Sequence, residues 1–229
     1  MSAVAPAIEV RGLTRRFGER TVLREVSVAV PRGATLAVLG RNGAGKSTLL
    51  RVLATLLSPH AGEVTVLGES LPSRGFAVRG RVGYLGHDPL LYRDLTPREN
   101  LRYHARLHRV PLTRVDELLE IAGMRLRADD PVRTLSQGMV QRLAVCRATL
   151  HHPQVLLLDE PRANLDPGAG DLLEPLIGRR SETTRVLTSH DPAAALREAD
   201  LVLGLYDGRA AFCSQADQVG ASELEALYR

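Results

Sequence analysis

Apolar and polar residues alternate with period two in some stretches of the chain and with a period near 3.6 in others, and the two kinds of stretch follow one another. Residues 8–13 and 21–30 read as strands, the second alternating as an antiparallel strand with one solvated face does. Residues 31–33 form a turn, and the short apolar strand 35–39 runs into a glycine-rich segment. A helix is expected over 46–57, ended by Ser58-Pro59, with further strands at 63–67 and 82–85. The spacing then turns helical over 96–108, 113–122 and 137–151. Residues 88–151 therefore read as a helical lobe inserted into an α/β core. The core resumes with the continuous apolar run 155–158, typical of a parallel strand buried on both faces. A helix over 168–180 with a kink at Pro175, a strand over 185–189 and a helix over 192–199 follow. A hairpin of 201–206 and 210–213 turns at Asp207-Gly208. The expected fold class is α/β, one domain over residues 1–229, since a chain of 229 residues hides enough surface for a substantial core.

Composition narrows the class. Hydrophobic residues make up 44% and charged residues 24%, as in an ordinary globular protein. No apolar run approaches the roughly 18 residues of a spanning helix. The first ten residues lack a basic start followed by an apolar stretch, so no signal peptide and a cytoplasmic chain are expected. Cys146 and Cys213 form no CxxC pair and are expected as reduced, buried thiols. The seven histidines show no metal-ligand spacing. The net charge of +4 is spread along the chain among acids, with no run of five basic residues. That favours a solvated surface with a local phosphate site over a nucleic-acid stripe.

One residue stands out against this background. Of the 30 basic residues, 29 are arginine, and the single lysine is Lys46. Lysine is a compact charge on a slim stem where arginine is a wide planar fork, so a position that takes only lysine suggests a tight cavity around an anion. Lys46 closes Gly40-Arg41-Asn42-Gly43-Ala44-Gly45-Lys46-Ser47, a full GxxxxGK[ST] phosphate loop between a strand and a helix, with Thr48 next. Glycines let the backbone wrap an anion, successive amides point inward, and the helix N-terminus adds partial positive charge. Lys46 reaches β- and γ-phosphates and the Ser47 hydroxyl is suited to Mg²⁺. Asp159 and Glu160 end the buried strand 155–158, at the sheet edge where ligands bind in open α/β folds. Asp159 is suited to hold Mg²⁺ through its water shell, and Glu160 to a water attacking the γ-phosphate.

Leu135-Ser136-Gln137-Gly138-Met139 resembles the LSGGQ signature of ABC ATPases, Ala163-Asn164-Leu165-Asp166 their D-loop, His190 their switch histidine, and Phe17 the aromatic on which adenine stacks. Order and spacing agree over about residues 8–209, so the chain is identified as resembling an ABC transporter nucleotide-binding subunit, a P-loop NTPase with an antiparallel β subdomain and a helical lobe. The resemblance implies ATP and Mg²⁺ as cofactors and an ATP-dependent head-to-tail homodimer. Each ATP would lie between Lys46 of one copy and Ser136, Gln137 and Gly138 of the other. Lys46, Glu160 and His190 would be catalytic, with His190 contacting the γ-phosphate and stabilising the transition state, and the Asp166 region would communicate between the two sites. It further implies separate integral membrane permease subunits, docked near residues 74–109, no nucleic-acid partner, and a peripheral position on the cytoplasmic face of the cell membrane.

Two departures from the family pattern matter. In the signature, Met139 stands where the consensus has Gln and Gln137 where it often has Gly, although LSQGM is a form seen in exporter ATPases. His87, in Leu85-Gly86-His87, stands where the family places a Gln touching Mg²⁺ and the attacking water, and it joins Ser47 and Asp159 as an expected metal contact. The Leu-Gly-His reading resembles the haem exporter ATPase of cytochrome c maturation, and a drug or antibiotic exporter ATPase is the alternative. A soluble ABC ATPase acting on nucleic acid and a nucleotide-binding regulator without turnover are the rival classes.

Overall fold

In a computed structural model, the described residues are 5–163, 165, 167–178 and 183–228. Ten strands are described: β1 (Ile8–Phe17), β2 (Arg20–Val30), β3 (Thr35–Leu39), β4 (Ala61–Val66), β5 (Glu69–Leu71), β6 (Val82–Leu85), β7 (Val155–Asp159), β8 (Thr184–Thr188), β9 (Leu201–Tyr206) and β10 (Arg209–Gln215). The helices are α1 (Lys46–Leu53), the single turn α2 (Gly75–Val78), α3 (Pro97–His108), α4 (Thr113–Ile121), α5 (Gln137–Thr149), α6 (Pro167–Ile177), α7 (Pro192–Glu198) and α8 (Ala221–Tyr228).

The strands form two sheets. A four-stranded antiparallel sheet has the order β2-β1-β4-β5. A six-stranded sheet has the order β10-β9-β3-β8-β7-β6, parallel except for β10 at its edge. Every residue of β3, β7 and β8 is buried, as parallel strands covered on both faces require. Side chains alternate across these strands, so each feeds two separate cores. Leu39, Leu156, Leu158 and Leu187 join a core with Leu101 of α3, Leu118 of α4 and Leu143 of α5. Leu36, Val38, Val155, Leu157 and Val186 join another with Leu49 and Leu53 of α1 and with Ile8, Val26 and Val64 of the antiparallel sheet. Fully burying one such leucine or valine stabilises by about 1.5–3 kcal/mol.

The lobe helices α3, α4 and α5 have strong local signals. Thr96 and Glu99 form a reciprocal capping box, Pro97 opens α3, and Arg109 closes it in the left-handed conformation. Where the lobe meets the sheet, His108 of α3 stacks on His151, just past α5, with ring centroids 4.1 Å apart. His151 Nε2 lies 3.1 Å from the Val82 carbonyl oxygen on β6.

Several boundaries differ from those the pattern suggested. Helix α1 stops at Leu53 rather than at residue 57, because Thr55 takes φ 62° and the amides of Leu56 and Leu57 fold back onto the Arg51 carbonyl. Strand β1 continues past Leu13 to Phe17, because Arg15, Arg16 and Phe17 keep pairing with β2 through irregular register. Helix α5 ends at Thr149, two residues early. Helix α6 runs through Pro175 and ends at Ile177; residues 179 and 180 of the expected helix lie outside the described residues. Strand β5 and helices α2 and α8 had no clear periodic signal. Cys146 is buried as expected, and burial pushes its thiol up to about 12. Cys213 is exposed, contrary to expectation, because β10 is an edge strand whose alternate residues face solvent.

Candidate functional site

The phosphate loop joins β3 to α1 at the C-terminal edge of the parallel sheet. Two of its glycines are sterically compelled. A Cβ on Gly40, at φ 145°, would lie 2.2 Å from the Leu205 carbonyl oxygen. One on Gly45, at φ 107°, would lie 2.7 Å from Leu23 Cδ2 and 3.0 Å from the Val22 carbonyl oxygen. Gly45 is the N-cap of α1, and no side chain caps that helix. The amides of its first turn are thereby left as donors for an anion.

Lys46 is only 6% exposed, and its Nζ donates to the carbonyl oxygens of Gly40 at 2.7 Å and Arg41 at 3.1 Å. Burial lowers the pKa of its ammonium; the Glu160 and Asp159 carboxylates pull the other way without cancelling the effect. A cleft of about 250 Å³ is lined by Asn42, Gly43, Gly45, Lys46, Ser47 and Thr48, with Glu160 across from them and Arg20 and Val22 at its side. The structure thus brings the loop and the acidic strand end to one cavity. Arg41 is exposed and Ala44 buried beneath the loop.

The acidic end of β7 is held by a residue the sequence reading missed. Thr188, the fully buried last residue of β8, donates its hydroxyl to Asp159 Oδ1 at 2.7 Å and accepts the Glu160 N–H at 3.0 Å. Its signal was a threonine ending a buried strand that pairs with the acidic one, Asp159 with Thr188 in register. Glu160 adopts φ 54°, a left-handed conformation costly for a side chain with a Cβ. Its Oε1 lies 2.7 Å from His190 Nε2, so the expected carboxylate and histidine are in contact. Asp159 Oδ2 is buried without a hydrogen-bond partner among the described residues. That orphaned oxygen and the Ser47 hydroxyl are hard donors of the kind Mg²⁺ or its water shell takes, so these residues fit the ion.

Phe17 ends β1, is 45% exposed, and has the Arg15 guanidinium 4.8 Å from its ring centroid. It pairs across the hairpin with Arg20, a cleft-lining residue that no motif had marked. Ser136 is the N-cap of α5 and its hydroxyl accepts the Met139 N–H at 3.3 Å. Ser136, Gln137 and Gly138 do not line the phosphate cleft of their own chain. His87 follows β6 at the same sheet edge, but is exposed and lines a neighbouring cavity of about 470 Å³ with Gln137 and Gln141. Asn164 and Asp166 lie outside the described residues.

Comparison with known proteins identifies the family. Residues 23–163 match the model of the family described as ABC transporter. The Nod factor export ATP-binding protein I of Ralstonia nicotianae is 39% identical over 212 residues, which cover 89% of this chain and 65% of that protein. The daunorubicin resistance ATP-binding protein DrrA3 of Streptomyces coeruleorubidus is 38% identical over 223 residues, covering 94% of this chain and 70% of that one. The chain therefore spans about two-thirds of the length of these relatives. A solved ATP-binding subunit of an ABC transporter superposes with a TM-score of 0.88 at 27% identity, covering 97% of this chain and all of that one. By this family match and shared fold, the chain belongs to the ABC transporter family and is an ATP-hydrolysing cassette of that family.

Proposed function

We propose that this cassette energises an exporter by working on separate membrane permease subunits, with Lys46, Glu160 and His190 as its catalytic groups. The observation that carries the reading is the convergence of Lys46, Asp159, Glu160 and His190 at one end of the parallel sheet. The loop amides and the Lys46 ammonium bind the β- and γ-phosphates, with Gly40, Arg41, Asn42, Gly43, Ala44, Gly45, Ser47 and Thr48 shaping the cradle. Ser47 and Asp159 would hold Mg²⁺, which would neutralise phosphate charge. Glu160 orients a water and takes its proton, and His190, in contact with that carboxylate, meets the γ-phosphate and stabilises the transition state. Phe17, 45% exposed at the end of β1, stacks on adenine. Ser136, Gln137 and Gly138 serve the ATP of a second copy in an ATP-dependent head-to-tail homodimer, and the Asp166 region carries communication between the two sites.

The similarities to a Nod factor export protein and a daunorubicin resistance protein favour the drug-exporter type of cargo. The haem-export reading rests on Leu85-Gly86-His87 and draws support from none of these similarities. No described helix is long and apolar enough to cross a membrane. A peripheral place on the cytoplasmic membrane face, with no nucleic-acid partner, goes with the exposed apolar side chains of Phe76 on α2, Leu90 and Tyr92 after β6, and Tyr103 and Leu107 on α3 as the permease contact. Phosphate release and light scattering test the reading. Glu160→Gln is expected to bind ATP, lose turnover and dimerise; Glu160→Gln turning over like the wild type would remove Glu160 from the reaction.

A further inference from the structure

We propose that Arg162 is a positioning residue for Glu160 and His190, acting through a chain of charged groups that ties the segment after Glu160 to α7. The proposal rests on the reading of Glu160 given above. Arg162 Nη2 lies 2.8 Å from Glu174 Oε2 on α6 and 3.0 Å from Glu198 Oε1, the last residue of α7. The other oxygen of Glu198 lies 3.6 Å from Arg185 Nη1. Arg185 belongs to β8, the strand whose end holds Asp159 and Glu160 through Thr188, and is only 1% exposed. It also donates to Thr35 Oγ1 on β3 and to the Ile177 carbonyl oxygen, so Glu198 is moored to the sheet.

These contacts close a ring. From Glu160 the chain runs through Pro161 to Arg162, which holds Glu198; from Glu198, α7 leads back to Asp191 and His190, which holds Glu160 at 2.7 Å. The ring surrounds a cavity of about 230 Å³ lined by Glu160, Arg162, His190, Ala194 and Glu198 among others. Side chains do not fill that space, so packing alone does not set the separation of the two segments. The Glu160–His190 contact fixes one end and the Arg162–Glu198 contact the other. Both carboxylates are met by the one Nη2, whose two N–H bonds point in fixed directions within the guanidinium plane, whereas an ammonium serves two acceptors with less directional constraint. When Arg162 is shortened, α7 and the Glu160 segment lose one of their two pins, and the catalytic carboxylate drifts relative to the phosphate cleft. None of the residues that line that cleft other than Glu160 belongs to the ring, so nucleotide binding is spared.

Steady-state ATPase assays on the full chain decide it, comparing Arg162→Ala, Arg162→Lys and Glu198→Gln with the wild type and with Glu160→Gln. The expected result for Arg162→Ala is a fall in kcat of at least about tenfold, because small misplacements of a reacting group are costly. KM for ATP should stay within about twofold, since uniform binding is untouched. Arg162→Lys should recover part of kcat, and Glu198→Gln, which keeps the shape of the side chain, should fall between. Turnover of Arg162→Ala equal to the wild type overturns the proposal. So does a loss that tracks a matching rise in KM or fall in melting temperature across the three variants, which is a purely structural effect. Glu160→Gln separates the two levels: if it turns over normally the role of Glu160 fails, whereas its inactivity beside a normal Arg162→Ala refutes only the positioning role.

Discussion

Replacing Thr188 by valine keeps the shape of the side chain and removes one hydroxyl, which makes it a sharp probe of how the acidic strand end is held. That hydroxyl is buried, donates to Asp159 Oδ1 at 2.7 Å and accepts the Glu160 N–H at 3.0 Å. The substitution leaves one buried acceptor and one amide donor without partners. Each such group costs about 1–3 kcal/mol, the charged acceptor more than the amide, so a loss of about 3 kcal/mol is expected. At this chain length that lowers the melting temperature by about 6–12 °C. Activity should suffer as well. Glu160 is held at φ 54°, a conformation costing about 1–2 kcal/mol, comparable with the hydrogen bond that secures it. Without that bond the backbone relaxes toward ordinary values and the carboxylate swings away from the cleft, with an expected fall in kcat of about tenfold or more. Urea unfolding with an unchanged m-value measures the first effect and phosphate release the second. Thr188→Ser keeps the hydroxyl and should cost only about 1 kcal/mol for the lost methyl. The reasoning is refuted if the valine variant lies within about 1 kcal/mol of the wild type, or if serine is as harmful as valine.

Gly45→Ala should abolish measurable ATP binding in calorimetry, because its Cβ would lie 2.7 Å from Leu23 Cδ2 at a backbone φ of 107°; binding of wild-type strength would mean the loop tolerates a different path. Burial lowers the Lys46 pKa, so ATP affinity should decline with rising pH before an ordinary lysine loses its proton. Over the same window the unfolded chain holds that proton more tightly, so Lys46 contributes a stability that rises with pH, opposite to the affinity; parallel trends in binding and urea titrations would contradict this. Burial, helped by Arg147 and His108, holds His104 and His151 down to about 4. As pH falls below about 6.5 the unfolded chain takes up protons first, so stability is lost between about 6.5 and 4. The slope for the pair should stay below about 2.7 kcal/mol per pH unit, since partial exposure screens it. The double variant His104→Asn with His151→Asn should flatten that acid limb; an unaltered slope would exclude these rings as its source.

The parallel core and the phosphate loop were legible because both rest on short-range rules. Buried strands need continuous apolar runs, and a loop that wraps an anion needs glycine at positions such as Gly40 and Gly45, where any Cβ collides with Leu205 or Leu23. Asp159 and Glu160 were legible for the same reason, as carboxylates ending an apolar run. Thr188 and Arg185 were not, because their roles depend on β8 lying beside β7 and β3 in the sheet, an adjacency that no local pattern encodes. Arg162 looked like one more surface arginine among 29. The exposure of Cys213 was missed because the run Ala210-Ala211-Phe212-Cys213 does not reveal by its pattern that it sits at an edge. The early end of α1 at Leu53 likewise escaped, since Leu56 and Leu57 continue the apolar spacing although the backbone has already turned at Thr55.

Strand β7 presents Leu156 and Leu158 to one core and Val155 and Leu157 to the other. Trimming adjacent side chains in this one strand would therefore loosen opposite halves of the molecule: Leu156→Ala the side that bears the lobe, Leu157→Ala the side that bears the phosphate-loop helix. A pair of next-door substitutions thus makes a differential gauge. Local amide exchange in α3 to α5 against that in α1 would report, from a single strand, how far each half can soften before the other notices.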